Sequence, residues 1–504
     1  MLRAILNLPF LVILMGLSAL MMLVPMAHAV RISDFVTARV FLQSALLFLV
    51  LSALIGVAMV NYAPRSSAHS HLVALLSAFV LLPLILAWPM RFLVPDTSYL
   101  NLYFEMVSSL TTTGASFFDD PSRLSEPLHL WRAFVGWVGG LLILVSAVAI
   151  FAPLNLGGFE VYAARQSAQL AGGMARIQTA DTSARLVSYS LRIAPIYALA
   201  TLVLTVGLVL AGERSFRAFV HAMSTMSTSG ITAGHGIEYA ASGYAGEILI
   251  FVFMLFAVSR LTFSFDRGIS VFRAIWQDHE FRLAMAFVSI LPALMFLRHW
   301  IGAFEVDEQQ NTMAALHALW GSVFTTLSFL TTTGFESAHW NDAQNWSGVS
   351  TPGIMLIGLA VMGGGVATTA GGIKLLRVYA LYKHGRREMQ KLSYPSSVGG
   401  AGKAARHIRR EGAYISWLFF MLFAISTALV MLALAFTGLD FDQNLTFAVS
   451  ALSTTGPLAD SVLGVAGSYA LLDDAARAIL CAAMVLGRLE TLAIIALLNP
   501  DFWR

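Results

Sequence analysis

The sequence predicts an all-α polytopic membrane protein: four pseudo-symmetric repeats of helix, re-entrant pore helix and helix around a central pore, preceded by two extra N-terminal transmembrane helices. Three observations predict it. Of 504 residues, 58% are hydrophobic and 12% charged, with a mean hydropathy of +0.74, whereas a soluble chain carries about a quarter charged residues. Apolar runs of spanning length recur along the whole chain. A short phrase occurs four times, as Thr112-Thr113-Gly114-Ala115, Thr228-Ser229-Gly230-Ile231, Thr332-Thr333-Gly334-Phe335 and Thr454-Thr455-Gly456-Pro457. Its copies lie roughly 100 to 120 positions apart, too far for a solenoid and right for a unit of helix, half-helix and helix.

Runs able to cross a bilayer fall near 4–28, 38–62, 72–93, 129–152, 190–211, 246–265, 282–300, 352–382, 412–437 and 474–499, which makes ten full spans. The first contains Ala27-His28-Ala29, a triplet like a signal-peptide cleavage site. Yet the stretch from Ala4 to Val30 has no Asp, Glu, Lys or Arg and exceeds the about 7 to 15 apolar residues of a signal sequence, so it reads as a retained helix. Four shorter stretches, 101–113, 215–228, 316–332 and 443–455, each end near a glycine of the repeated phrase. They are short for a crossing, and non-helical backbone at membrane depth is tolerated only where it lines a cavity or is buried in protein. They therefore read as re-entrant half-helices. The expected units are 1–65 for the two N-terminal helices, 66–165 and 166–275 for the first two repeats, 276–400 for the third and 401–504 for the fourth.

Basic residues set the orientation. Arg386, Arg387, Lys391, Lys403, Arg406, Arg409 and Arg410 crowd one connection, Arg165, Arg176, Arg185 and Arg192 another, and Arg267, Arg273 and Arg282 a third. All three connections are expected to be cytoplasmic, which also accounts for the net charge of +3 without a nucleic-acid partner. The repeated phrases adjoin acidic stretches, Asp119-Asp120, Glu305 to Glu308 and Asp440 to Asp442, which face outward and attract cations. Ten spans and four outer re-entrant loops leave both termini inside.

A hydroxyl pair followed by Gly suits a cation filter, because Gly permits backbone angles that turn carbonyl oxygens inward to replace an ion's water shell. Thr112, Thr113, Gly114, Thr228, Ser229, Gly230, Thr332, Thr333, Gly334, Thr454, Thr455 and Gly456 are the candidate ion ligands. The half-helices aim their negative dipole ends at the same axis. Glu336 follows the third phrase, where a neutral residue is expected, and implies a modified outer ion site. A second candidate region holds Gly363, Gly364, Gly365, Thr368, Thr369, Gly371, Gly372 and Lys374. Its glycines weaken a continuous helix by about 1 kcal/mol each. It reads either as an intramembrane loop that obstructs the cavity below the third filter or as close helix packing through small residues. Arg488 lies within an apolar run, where a central arginine costs about 2.5 to 3.5 kcal/mol. It must face a watery cavity, pair with Glu490 or snorkel. Arg260 interrupts another span without an evident partner.

The four phrases, Met362-Gly363-Gly364-Gly365 through Gly371-Gly372-Ile373-Lys374, Gly487-Arg488-Leu489-Glu490 and the closing Asn499-Pro500-Asp501-Phe502-Trp503-Arg504 resemble the Trk/Ktr/HKT superfamily of potassium-uptake proteins, and within it the bacterial TrkH-like subunits. The likeness covers nearly the whole chain. It implies one pseudo-fourfold potassium path per subunit, a homodimer, and a cytoplasmic nucleotide-binding ring of the TrkA type docked on the basic loops, all in a bacterial cytoplasmic membrane. It makes the glycine-rich stretch a gate and places Arg488 beneath the filter, where the matching arginine opposes cation passage, with Lys374 in a similar part. The fourth phrase is expected to be the most degenerate. In the plant HKT branch, loss of the first-repeat glycine goes with sodium preference, and Gly114 is present.

Two transport readings compete, a gated pore and a symporter coupling potassium to protons or sodium. A symporter usually carries buried carboxylates for coupling. Glu105 is one of few acids in the membrane part, and its place in the first half-helix suits a structural role. An enzyme is not expected. His279-Glu280 lacks the second histidine of a zinc helix, there is no serine elbow, and the single cysteine, Cys481, allows neither a disulfide nor a metal cluster. No organic cofactor is implied. The partners are lipid, a second copy and the regulatory ring.

Overall fold

The computed structural model describes residues 8–59, 68–154, 156–161, 182–234, 236–259, 275–302, 312–349, 351–394 and 410–490. Regular structure among them is entirely helical. The N-terminal part folds as α1 (Phe10–Met21), α2 (Leu23–Arg31) and α3 (Phe35–Ala58). Asp34 starts α3 by accepting from the Thr37 N–H at 3.1 Å, which satisfies one of the donors a helix start leaves open.

A long helix, a helix ending at a repeated phrase and a returning helix then recur in that order. α4 (Ala68–Leu93), α5 (Tyr99–Leu110) and α6 (Glu126–Ser146) come first, followed by α7 (Thr182–Leu210), α8 (Ser215–Ser227) and α9 (Gly243–Met254). Next are α10 (His279–Gly302), α11 (Thr312–Leu330), α12 (Trp340–Ser347), α13 (Pro352–Met362) and α14 (Leu375–Ser393). α15 (Arg410–Ala435), α16 (Phe441–Leu452), α17 (Leu458–Leu463) and α18 (Asp474–Leu489) close the described chain. Each short helix, α5, α8, α11 or α16, packs against the long helix before it. α1 and α2 lean on α3, with α1 also against α4 and α2 against α6.

Eight helices among the described residues are long and apolar enough to span a membrane, against ten expected. Three of the expected runs account for the difference, and two of them, 246–265 and 474–499, reach beyond the described residues. The run 246–265 yields only α9 and a short 3-10 turn, because the described chain leaves helix after Ala257. The run 352–382 is not one helix: α13 stops at Gly363, where φ is +70°, and helix resumes only at Leu375. α18 ends at Leu489 with Glu490 at φ +62°, and the rest of the run 474–499 lies outside the described residues. Conversely, α11, expected as a half-helix, passes on length. Apolar length alone does not distinguish a crossing helix from one that stops at a pore.

Large apolar side chains such as Val57, Leu210 and Leu429 are exposed around the outside, as lipid-facing positions require. The buried apolar residues form two main clusters. One joins α1, α3–α6, α16 and α18, with Phe104, Trp131, Phe447 and Tyr469 at its heart; the other joins α7–α11, α13 and part of α16 around Phe324, Phe329 and Leu330. Small residues let the elements close on each other. A side-chain carbon on Gly139 of α6 would lie 2.1 Å from the Leu110 carbonyl oxygen, and one on Gly487 of α18 would lie 2.2 Å from that of Leu452. Two long helices therefore press directly on the last turns of two short ones.

Candidate functional site

All four short helices end in the same way. Thr112, Thr228, Thr332 and Thr454 have left-handed backbone, with φ of 56°, 52°, 57° and 54°. Each donates its N–H three residues back, to Ser109, Thr225, Phe329 and Ala451 at 3.0 to 3.2 Å. The next residue, Thr113, Ser229, Thr333 or Thr455, donates five residues back, to Ser108, Ser224, Ser328 or Ser450 at 2.8 to 3.0 Å. These are the two hydrogen bonds of a Schellman helix stop. The left-handed position, normally Gly, is here a β-branched Thr, at a strain of about 1 to 2 kcal/mol.

The residue before each phrase completes it. Thr111 and Thr113 join through their hydroxyls at 2.8 Å, Ser227 and Ser229 at 3.0 Å, Thr331 and Thr333 at 3.0 Å, and Ser453 and Thr455 at 3.1 Å. These hydroxyls bind their own helix end, which leaves the backbone as the part of each phrase that can turn to a ligand. Thr111, Ser227, Thr331 and Ser453 were missed by sequence reasoning, although extending the comparison of the four phrases by one position reveals them.

The glycines then meet in order around one centre. A side-chain carbon on Gly114 would lie 1.8 Å from the Ser229 carbonyl oxygen, and one on Gly230 would lie 2.5 Å from that of Thr333. On Gly334 it would reach Pro457 at 3.0 Å, and on Gly456 it would reach the Ala115 nitrogen at 2.1 Å. First touches second, second third, third fourth, and fourth first. The Gly456 N–H also donates to the Thr113 carbonyl at 2.5 Å.

The fourth copy departs from the others. Gly114, Gly230 and Gly334 have φ of 78°, 67° and 80°, but Gly456 is absent from the left-handed set. Its carbonyl accepts from the Tyr469 hydroxyl at 2.9 Å and from the Ser450 hydroxyl at 3.2 Å. The expectation that all four glycines serve through backbone angle is corrected at this position. Gly456 is required by close approach to the first phrase, not by its own conformation.

Residues 363–374 pass beneath this ring as a buried irregular loop. It touches three of the four stops. The Gly371 N–H donates to Thr332 Oγ1 at 2.7 Å, Thr369 Oγ1 donates to the Met226 carbonyl at 3.3 Å, and a side chain on Gly371 would strike the Ser453 carbonyl oxygen at 2.0 Å. The Val366 N–H is held by Glu280 at 2.8 Å and the Gly365 N–H by the Ala257 carbonyl at 3.0 Å. Thr368 Oγ1 donates to the Gly365 carbonyl at 2.7 Å. Gly363 and Gly372 pack against each other, Gly364 lies against Ala257, and Lys374 Nζ donates to the Ala370 carbonyl. A cavity lies alongside, lined in part by Thr368, Gly371, Lys374 and Arg488.

Arg488 donates Nη1 to the Thr369 carbonyl at 2.7 Å. Its Nε and Nη2 are buried with no hydrogen-bond partner among the described residues. The alternative pairing with Glu490 does not occur: Glu490 binds Arg377 at 2.7 Å, and the Arg377 guanidinium lies 3.7 Å from the Phe419 ring centroid. Two buried glutamates brace the chain beyond the phrases. Glu105 pairs with Arg132 at 2.5 Å and accepts the Phe117 N–H at 2.9 Å, in line with the structural part expected of it. Glu247 accepts from Ala338 N, Ser337 Oγ and Trp320 Nε1 at 2.6 to 2.8 Å. The sequence offered no pattern for Glu247, Glu280 or Arg377, whose partners are far away along the chain.

On the side of the ring away from the loop, Asp119, Glu336 and Asp460 gather. Burial, and the neighbouring charges Asp119 and Glu336, push the Asp460 carboxyl up to about 7. Burial likewise raises Glu336, opposed by a hydrogen bond from Ser461 and reinforced by Glu238. The Asp119 carboxylate accepts from Ser468 Oγ at 2.6 Å. Arg260, Arg165, Arg176, Arg267, Arg273, Lys403, Arg406, Arg409, the acidic stretch at Glu305 to Glu308 and the closing Asn499 to Arg504 lie outside the described residues.

Residues 38–501 match the family model of the TrkH cation transport proteins. The chain belongs to that family. It is 30% identical over 413 residues to the Trk system potassium uptake protein TrkH of Salmonella typhimurium, covering 81% of this chain and 80% of that one. It is 29% identical over 437 residues to the Trk system potassium uptake protein TrkI of Halomonas elongata, covering 85% and 82%. The crystal structure of the potassium transporter TrkH from Vibrio parahaemolyticus superposes with a TM-score of 0.81 at 25% identity, over 100% of both chains. A multi-pass membrane transport protein accounts for the eight apolar helices and for polar loops buried at their centre.

The brace at Glu105 has a measurable weight. Removing one partner of a buried ion pair costs about 3 to 5 kcal/mol. Glu105→Ala is expected to lower the unfolding temperature of detergent-solubilised protein sharply, with Glu247→Gln milder because the amide oxygen still accepts. Fluorescence-detected size-exclusion chromatography after a temperature series measures both.

Proposed function

We propose that this chain takes up potassium across a bacterial cytoplasmic membrane through a gated, potassium-selective pore, with both termini in the cytoplasm. The observation that carries the reading is the closed ring of contacts from Gly114 to Gly230, Gly334 and Gly456, built on four identical helix stops with their hydroxyls turned back. Carbonyl oxygens left at such stops, at the negative ends of four short helices, replace water around a monovalent cation. Thr112 Oγ1 and Thr454 Oγ1, buried and without partners among the described residues, are further oxygens available at the inner end. The degenerate fourth copy still supplies its neighbours with the close approach that narrows the ring.

The loop at 363–374, with Lys374 and Arg488, is the gate. It obstructs the path sterically, and the guanidinium adds a like charge to be passed. Opening requires loss of the bonds from Gly371 to Thr332 and from Arg488 to Thr369. The naming of relatives as proteins of a Trk system supports work with other Trk components, and the arrangement proposed is a homodimer with a TrkA-like nucleotide-binding ring on the basic cytoplasmic connections. Coupled symport is the less favoured mechanism, because Glu105 and Glu247 are committed to backbone or arginine partners.

Single-channel recording of the protein in liposomes tests this directly. Unitary potassium currents are expected, and flux that vanishes without a proton or sodium gradient would establish the symporter instead. Gly114→Ala, Gly230→Ala and Gly334→Ala should each lower potassium uptake by about tenfold or more, since the new carbon collides with the neighbouring phrase, whereas Thr113→Ser keeps its hydroxyl pair and should remain within about twofold.

Arg488→Ala removes both the charge and the tie to Thr369. It is expected to raise open probability in the same recordings without changing the preference for potassium over sodium.

The outer carboxylates impose a pH dependence. With Asp460 titrating at about 7, acidification through that value neutralises one charge at the mouth, and uptake at limiting potassium should fall as external pH drops from about 8 to about 6. Asp460→Asn should flatten this profile at its acidic level.

A further inference from the structure

We propose that His317, His339 and Asp342 form a binding site for a divalent transition-metal ion, with zinc its representative, that ties α11 to the segment returning from the third filter. His317 lies near the start of α11, at the end away from Thr332. His339 stands five residues beyond Gly334 and immediately before α12, and Asp342 is in the first turn of α12. One ligand atom from each lies within 4.8 Å of the other two. His339 Nδ1 is 2.9 Å and His317 Nδ1 is 3.8 Å from the same oxygen, Asp342 Oδ2.

Those spacings suit one ion. Zinc bonds of about 2.0 to 2.2 Å in a tetrahedron separate neighbouring ligand atoms by about 3.3 Å, and the two observed distances straddle that value. The two imidazole rings lie with centroids 4.3 Å apart, and the separation of their ligand atoms is within 4.8 Å, so the metal is seated by drawing the two histidines to either side of it. Imidazole nitrogen with a single carboxylate selects zinc and its transition-metal neighbours over magnesium and calcium, which prefer oxygen-only shells. Three protein ligands leave a fourth position for water.

The cluster is held in place before any ion arrives. Tyr244 of α9 stacks on His339 with ring centroids 4.6 Å apart and planes inclined by 15°, and its ring lies 5.8 Å from that of His317. The backbone entering His339 is fixed by Glu247 through Ala338. Gly321 admits the His339 carbonyl so closely that a side-chain carbon there would lie 2.2 Å from its oxygen. The side chains of His317, His339 and Asp342 are 38%, 20% and 48% exposed, so an ion reaches them from water. Their side-chain polar and ring contacts among the described residues are with one another and with Tyr244. The site is a clamp on the third repeat beside the potassium path.

Titration calorimetry of the untagged full-length protein in detergent, with zinc chloride and with magnesium chloride as control, tests the assignment. One zinc per chain is expected, with no magnesium binding. His317→Gln and His339→Ala should each weaken zinc by about tenfold or more. Zinc should raise the unfolding temperature of the parent protein and leave that of either variant unchanged. Cobalt should give the visible d–d absorption of a low-symmetry nitrogen and oxygen site in the parent protein alone. Potassium uptake by His317→Gln in zinc-free medium reports that this variant is folded, so its loss of zinc binding then counts for the site. Zinc affinity within about twofold of the parent in both variants, or no saturable zinc binding at all, overturns the proposal and leaves the three residues as a stacked cap on α12.

Discussion

A helix that stops inside a membrane leaves carbonyl groups with no water to meet them. That constraint organises this protein. Four short helices end near its centre, each with a Schellman stop that satisfies two of those carbonyls with its own N–H groups. The remaining carbonyls and the irregular backbone beyond are exposed to one another, so they are either satisfied across the ring or available to an ion. A threonine in left-handed conformation at every stop is the cost of placing a hydroxyl-bearing residue where glycine is usual. The same cost, borne four times at matching positions, links sequence repetition to a single site.

The bracing residues follow from the same constraint. Backbone N–H groups in the segments returning from the first and third stops are received by Glu105 and Glu247, and the loop beneath the ring is received by Glu280. Glu105 and Glu247 are buried carboxylates whose desolvation is offset by several hydrogen bonds or an arginine, and Glu280 receives the Val366 N–H through Oε1. Such acids hold irregular backbone in place. The loop at 363–374 differs in kind: its ties run to side chains and carbonyls of three different repeats, through Thr332, Met226 and Arg488. A rearrangement of any of those repeats alters its support.

The fourth copy shows how a repeat can lose one feature and retain another. Pro457 follows Gly456 and sits against Gly230 and Gly334, while Tyr469 and Ser450 take the Gly456 carbonyl. Positive φ is gone, yet the absence of a side chain still matters because the first phrase lies in the space one would fill. Glycine here is selected by its neighbour rather than by its own backbone.

Composition alone settled the membrane setting, because a chain with so few charges cannot cover itself with a water-soluble surface. Recurrence of the Thr-Gly phrases pointed to segments that the structure brings together, but not to Thr111, Ser227, Thr331 and Ser453, whose hydroxyls complete each stop. The number of continuous helices was not legible. Whether 352–382 is one span or a helix, a loop and a helix depends on contacts from Glu280, Ala257 and Thr332, which no window of sequence contains. The partner of Glu490 was equally out of reach: Arg488 is nearer in the chain, but burial of Arg377 against Phe419 places a different guanidinium beside it. Local sequence determined where helices stop and which hydroxyls meet, through bonds spanning two to five residues. Tertiary structure decided which stops adjoin, which acid holds which strand of backbone, and that Gly456 serves by proximity, because those choices arise only when segments distant along the chain exclude lipid and water together.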